Sequence, residues 1–158
     1  MTTLSTSASR VQDALTKAGL DARVVELPDS TRTAAEAAAA VGCEVGQIAK
    51  SLVFRAKTSG DPILVIASGT NRVNEKTIAA VLGDKIEKAD AEFVRARTGY
   101  AIGGIPPIGH TESLTTFIDE DLGRFERIWA AAGTPHAVFE LSPADLPRLT
   151  GGRVIRIV

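Results

Sequence analysis

The chain has 158 residues, 44% hydrophobic and 23% charged, with 18 Lys+Arg against 19 Asp+Glu for a net charge of −1. That balance suits one globular domain over 1–158 and argues against a strongly basic nucleic-acid coat or a polyanionic tail. Aromatic residues are 4% of the chain, too few for a broad base-stacking platform, and no apolar run reaches the ~20 residues of a membrane span.

Met1 to Arg10 is rich in Ser and Thr and lacks the apolar stretch of a signal peptide. Val11, Ala14, Leu15 and Ala18 recur at helical spacing before Gly19, which predicts a helix over 9–18. Ala22 to Leu27 reads as a short strand ended by Pro28. Thr33 and Glu36 have the form of a capping box ahead of an alanine run, and Gly42 is placed to stop that helix. Gly46 to Ala49 is a short turn or helix. Ser51 to Phe54 and Pro62 to Ala67 are apolar runs joined by the polar link Lys57 to Asp61, so they predict a hairpin of mostly buried strands. Asn74 caps a helix over 75–82 and Asp90 another over 91–97. Strands are predicted at 116–119, 127–131 and 137–141, a helix over 143–149 capped by Ser142, and a closing strand over 153–158. Hairpin-length links exclude a doubly wound parallel sheet, so the expectation is α+β with a mixed, strongly curved sheet and surrounding helices.

Cys43 is the one cysteine, and His110 and His136 are the only histidines. Neither a disulfide, a metal cage nor a nucleophilic triad has support, and the expectation is a cytoplasmic protein with no metal and no cofactor. Two features carry chemistry. Lys50 stands at the mouth of an apolar strand, where a cation either snorkels to solvent or meets an anion such as a phosphate or a reacting ester. Gly103-Gly104-Ile105-Pro106-Pro107-Ile108-Gly109 is a stiff segment in which glycine allows close backbone approach and proline removes amide donors. It reads either as a rigid surface turn or as a loop of carbonyls facing a ligand.

With these residues in place, 26–158 resembles the YbaK/prolyl-tRNA synthetase-associated editing domain family. The resemblance is carried by Thr31-Arg32-Thr33, by Gly46 through Phe54 with Lys50, by Gly99 through Gly109 with its GxxxP pattern, and by Phe139 through Pro143. It implies a free-standing deacylase that cleaves the ester of a mischarged aminoacyl-tRNA in trans, without a metal. It gives Lys50 to the terminal adenosine and its phosphates. Gly103 and the segment Gly104, Ile105, Pro106 and Pro107 position the aminoacyl group, and the nucleophile is water or a group of the substrate. Thr31, Thr33 and His136 are candidates for the amino-acid pocket, and Arg32, Arg72 and Lys76 for gripping the acceptor end.

The expected partners are the acceptor end of an aminoacyl-tRNA and an aminoacyl-tRNA synthetase, with no membrane. Members that remove cysteine carry aromatic residues near Leu27 and Thr33, which this chain lacks, so cysteine specificity is not carried over. The alternative function is a non-catalytic module of the same fold that docks on a tRNA or a synthetase.

Overall fold

The computed structural model describes residues 4–158; Met1 to Thr3, the start of the Ser/Thr-rich stretch, lie outside them. Five helices are α1 (Thr6–Lys17), α2 (Ala34–Val41), α3 (Glu75–Leu82), α4 (Ala91–Thr98) and α5 (Asp145–Thr150). Eight strands are β1 (Val25–Glu26), β2 (Ile48–Ala56), β3 (Pro62–Ser68), β4 (Ile86–Lys88), β5 (Thr115–Asp119), β6 (Ile128–Ala131), β7 (Ala137–Leu141) and β8 (Arg153–Ile155). They form one sheet in the order β1-β7-β6-β2-β3-β5-β8, with β4 also paired to β2. The sheet is mixed, as expected: β2 runs antiparallel to β3 and parallel to β6, while β3, β5 and β8 are parallel to one another.

All seven residues of β3 are buried, which is why it reads as an unbroken apolar run. Its side chains alternate between two cores. Leu64 and Ile66 join Val11 and Leu15 of α1, Phe139 and Leu146 on one face. Ile63, Val65 and Ala67 join Phe54, Phe117 and Ile78 of α3 on the other. Asp119 is 2% exposed at the end of β5, and its Oδ2 accepts from Ser68 N and Asn71 Nδ2 at 2.9 and 2.8 Å. Ser68 Oγ in turn donates to Gly46 O at 2.7 Å. The chain entering β2 is thereby tied to the end of β3.

Several element ends differ from expectation, each with a local cause. Helix α1 starts earlier, because Ser5 caps it through Ala8 N. Strand β1 is two residues rather than six: Gln12 of α1 donates to Ala22 O and accepts from Val24 N at 3.0 and 2.8 Å, replacing a strand partner. Ser142 does not cap α5 with its hydroxyl; Asp145 Oδ2 accepts from Ser142 N, and the helix begins at Asp145. Strand β8 ends at Ile155, and Ile157 O instead accepts from Asn74 N at the start of α3. The caps at Asn74 and Asp90 are as expected; Thr33 caps α2 through Glu36 N, but Glu36 accepts from the Thr33 hydroxyl and not from its backbone N–H, so the capping box is incomplete.

Candidate functional site

Strand β2 pairs with β3 along one edge from Ala49 to Arg55. On its other edge Ile48 and Ala49 pair with β6, and Phe54 to Ala56 pair with β4. Residues 50–53 have no strand partner on that edge, so the sheet forks there. A cavity of about 440 Å³ fills the fork, within the range of small-molecule sites. Along an extended strand alternate residues turn N–H and C=O to the same edge, so residues 50–53 offer backbone donors and acceptors to the cavity.

Side-chain alternation divides β2 at this point. Ala49 and Val53 belong to the core under α1, whereas Leu52 and Phe54 pack with the opposite one. Ser51 therefore leaves the strand on the first face and Lys50 on the second, although both line the cavity. Lys50 is joined at the rim by Arg32 and by Lys88 of β4, both exposed. None of these three cations makes an ion pair among the described residues, and no Asp, Glu, His, Cys or Tyr lines the cavity. The remaining wall is apolar apart from the hydroxyls of Thr31, Thr33 and Ser51, and it includes Trp129, the chain's one tryptophan. Among the described residues, no group of three His, Cys, Asp or Glu is placed to hold a metal ion.

The structure brings Thr31, Thr33, Lys50, Gly103 and Ile105 to this cavity. Gly104, Pro106 and Pro107 are buried but do not line it, a correction to their expected place against the aminoacyl group, and the Gly-Pro segment is not a surface turn. Nor are its carbonyls free as a set. Gly104 O accepts from Gly133 N at 2.9 Å, and Pro106 O accepts from His110 Nε2 at 2.7 Å. Gly109 O accepts from Tyr100 Oη at 2.9 Å. A Cβ on Gly104 would meet backbone atoms of Thr134 at 2.7–2.9 Å, so this glycine serves the approach of loop to turn. Gly103 has φ +102° and lies under the Arg32 side chain. His110 stands edge-on to the Tyr100 ring, and burial lowers its pKa below 6.5 despite the bond to Pro106.

His136 is exposed and outside the lining, a correction to its expected place in the pocket. Its contribution is to hold the segment that carries Thr31. His136 O accepts from Leu27 N at 2.8 Å and His136 Nδ1 donates to Asp29 O at 3.1 Å, while Pro135 O accepts from Thr31 N at 2.6 Å. The Thr33 hydroxyl is engaged in capping α2, accepting from Glu36 N and donating to Glu36 Oε1. Cys43 lies apart, its thiol pKa raised by burial and by Glu44 and Glu140. Sequence reasoning did not single out Ser51, Lys88 or Trp129. A lone serine inside an apolar strand was a signal for the first; Lys88 depends on β4, too short and polar to show a pattern.

A solved structure provisionally named a trans-editing enzyme for prolyl tRNA synthetase is similar to this chain, with 49% identity, a TM-score of 0.93 and 98% of each chain covered. YwhH of Bacillus subtilis, an uncharacterised protein, is 32% identical over 132 residues, covering 83% of this chain and 83% of its own. EbsC of Enterococcus faecalis, provisionally named a Cys-tRNA(Pro)/Cys-tRNA(Cys) deacylase, is 30% identical over 126 residues, 79% of this chain and 76% of its own. A family model of the aminoacyl-tRNA editing domain matches residues 28–149. With the forked sheet, the lysine at its open edge and the Gly-Pro loop in its wall, the chain belongs to the aminoacyl-tRNA editing domain family.

Proposed function

We propose that the protein is a trans-acting aminoacyl-tRNA deacylase whose reaction takes place in the fork of the sheet. The observation that carries this is a cavity with three cations at its rim, no carboxylate in its wall and unpaired strand backbone along its floor. Lys50, Arg32 and Lys88 meet the terminal phosphates of the acceptor end, with Lys50 nearest the reacting ester because it alone stands on the open edge itself. Trp129 offers the kind of aromatic face on which a terminal adenine stacks. A grip of this size needs no basic coat, which agrees with a net charge of −1.

An aminoacyl ester is already activated, so orientation of water and stabilisation of the oxyanion are sufficient catalysis. Water adds to the ester carbonyl carbon, and the developing oxyanion is met by backbone N–H groups of residues 50–53 and by the charge of Lys50. The bond to the ribose oxygen then breaks, and that oxygen takes a proton as it leaves. No imidazole, carboxylate or thiol lines the cavity to accept the proton of the water, so the acceptor is a group of the substrate, its vicinal ribose hydroxyl or its α-amine. The solved relative's association with prolyl tRNA synthetase supports tRNA(Pro) and that synthetase as the partners to try first.

The test is hydrolysis of tRNA(Pro) charged in turn with several small amino acids, by the protein and by Lys50→Ala. Turnover by the first and not by the second is expected. Binding of tRNA with no hydrolysis of any ester would favour a docking module of the same fold.

A further inference from the structure

The reaction drawn above uses neither histidine, yet His110 is tied to the loop beside it. His110 is half-buried, lies outside the lining of the cavity, and has its Nε2 2.7 Å from Pro106 O. A carbonyl only accepts, so Nε2 carries the proton of this bond and the neutral ring leaves Nδ1 without one. The ring stands edge-on to Tyr100 with 6.3 Å between centroids, and the Tyr100 hydroxyl donates to Gly109 O at 2.9 Å. Tyr100 is itself 1% exposed, and the Arg10 guanidinium lies 4.9 Å over its ring. Two side chains that pack on each other therefore hold Pro106 and Gly109 through their carbonyls.

That attachment has leverage on the cavity. Pro106 and Pro107 have no N–H, so neither can donate a bond that closes a turn within the loop. Each also restricts the residue before it, which makes Ile105 through Pro107 a stiff unit. A shift of the Pro106 carbonyl then carries to Ile105, which lines the cavity, and onward to Gly103. Pro106 is buried, so loss of the His110 donor favours a loop position in which its carbonyl finds another. We propose that His110 is a positioning residue for deacylation: its Nε2–H bond to Pro106 O sets where Gly103 and Ile105 stand against the aminoacyl ester. This rests on the deacylase reading and makes turnover depend on a side chain that never touches the substrate.

The experiment measures kcat and KM on tRNA(Pro) esters of small amino acids for the native protein, His110→Gln, His110→Asn and His110→Phe. The Gln amide N–H falls near the place of imidazole Nε2 and the Asn amide near Nδ1, while Phe keeps a ring against Tyr100 and has no donor. His110→Gln should hold kcat within about threefold of native. His110→Asn and His110→Phe should lose roughly 10–100-fold in kcat with KM little changed. A ring that serves packing alone would give the reverse order, Phe near native and Gln impaired, which overturns the proposal. Native kcat in all three variants, an equal fall in all three, or a change confined to KM would overturn it as well. Absence of hydrolysis by the native protein would remove the deacylase reading and the proposal together. Imidazole nitrogen NMR needs no variant of His110. At about pH 8, with His136→Gln for assignment, His110 should be the Nε2–H tautomer. The Nδ1–H tautomer would overturn the proposal and leave the deacylase standing.

Discussion

A methyl group added at Gly104 would stand 2.7, 2.8 and 2.9 Å from C, Cα and N of Thr134, all backbone atoms that no rotamer change can move aside. To reach ordinary contact at 3.4 Å, the loop and the β6–β7 turn would have to part by about 0.7 Å. The parting also stretches the 2.9 Å bond from Gly133 N to Gly104 O. Overpacking of this kind costs about 1–3 kcal/mol, and for a chain of this size each kcal/mol lowers Tm by about 2–4 °C, so Gly104→Ala should melt roughly 2–12 °C lower. Gly103 and Ile105 line the cavity and move with the loop, and a displacement of ~1 Å at a reacting group costs up to ~100-fold, so deacylation should fall at least tenfold. Differential scanning fluorimetry and single-turnover deacylation read the two effects. A Gly104→Ala protein that melts within about 1 °C of the native one would refute the reasoning, because the loop would then not be set by its contact with Thr134.

Lys50→Ala should leave Tm unchanged, since it removes a charge from an open strand edge and little apolar area, while turnover is lost; Lys50→Arg should recover only part of it, as checked by deacylation kinetics. Lys88→Ala should weaken acceptor-end binding and flatten the slope of log affinity against log salt by about 0.7, the share of one phosphate contact on a single strand, as read by Trp129 fluorescence. His110 has a folded pKa depressed by burial, so its contribution to stability is complete above about 6.5 and is lost as pH falls from there toward the folded value, because the unfolded chain binds the proton first. His110→Gln should flatten that part of the Tm–pH curve, and an unchanged curve would count against the burial of the neutral ring. Asp119→Ala should cost about 3 kcal/mol in urea unfolding, since it leaves Ser68 N, Asn71 Nδ2 and Asp121 N without their carboxylate.

Elements with strong local signals were legible in the chain. The β2–β3 hairpin, the caps at Thr33, Asn74 and Asp90, and the stops at Gly42 and Gly83 each depend on neighbours a few residues away. What could not be read depends on distant partners. Gln12 replaces a strand partner for the residues before β1, and nothing in Ala22 to Leu27 announces it. Lys50 was conspicuous as a cation in an apolar strand, but its place at a cavity was an expectation only through the family resemblance. The fork that surrounds it was not legible, since it is made by β6 and β4, which meet β2 at opposite ends from segments about 40 residues apart. The Gly-Pro loop illustrates the same limit. Its stiffness was plain from composition, but whether each glycine faces a ligand or another backbone is decided by Thr134 and Arg32, which lie elsewhere in the chain.

The gap on one edge of β2 also bears on how such a domain diversifies. The lysine's place is fixed by the fully buried β3 alongside it, whereas the rim is supplied by the segment before α2, the end of β4, the loop after α4 and strand β6. Substitutions can therefore accumulate around the opening, one segment at a time, without shifting the residue at its centre. Neighbouring codons, 50 and 51, place side chains on opposite faces of the same strand, so mutation at one leaves the other's surroundings in place. The lining of the cavity can thus be altered in single-residue steps that leave the lysine in place at every one.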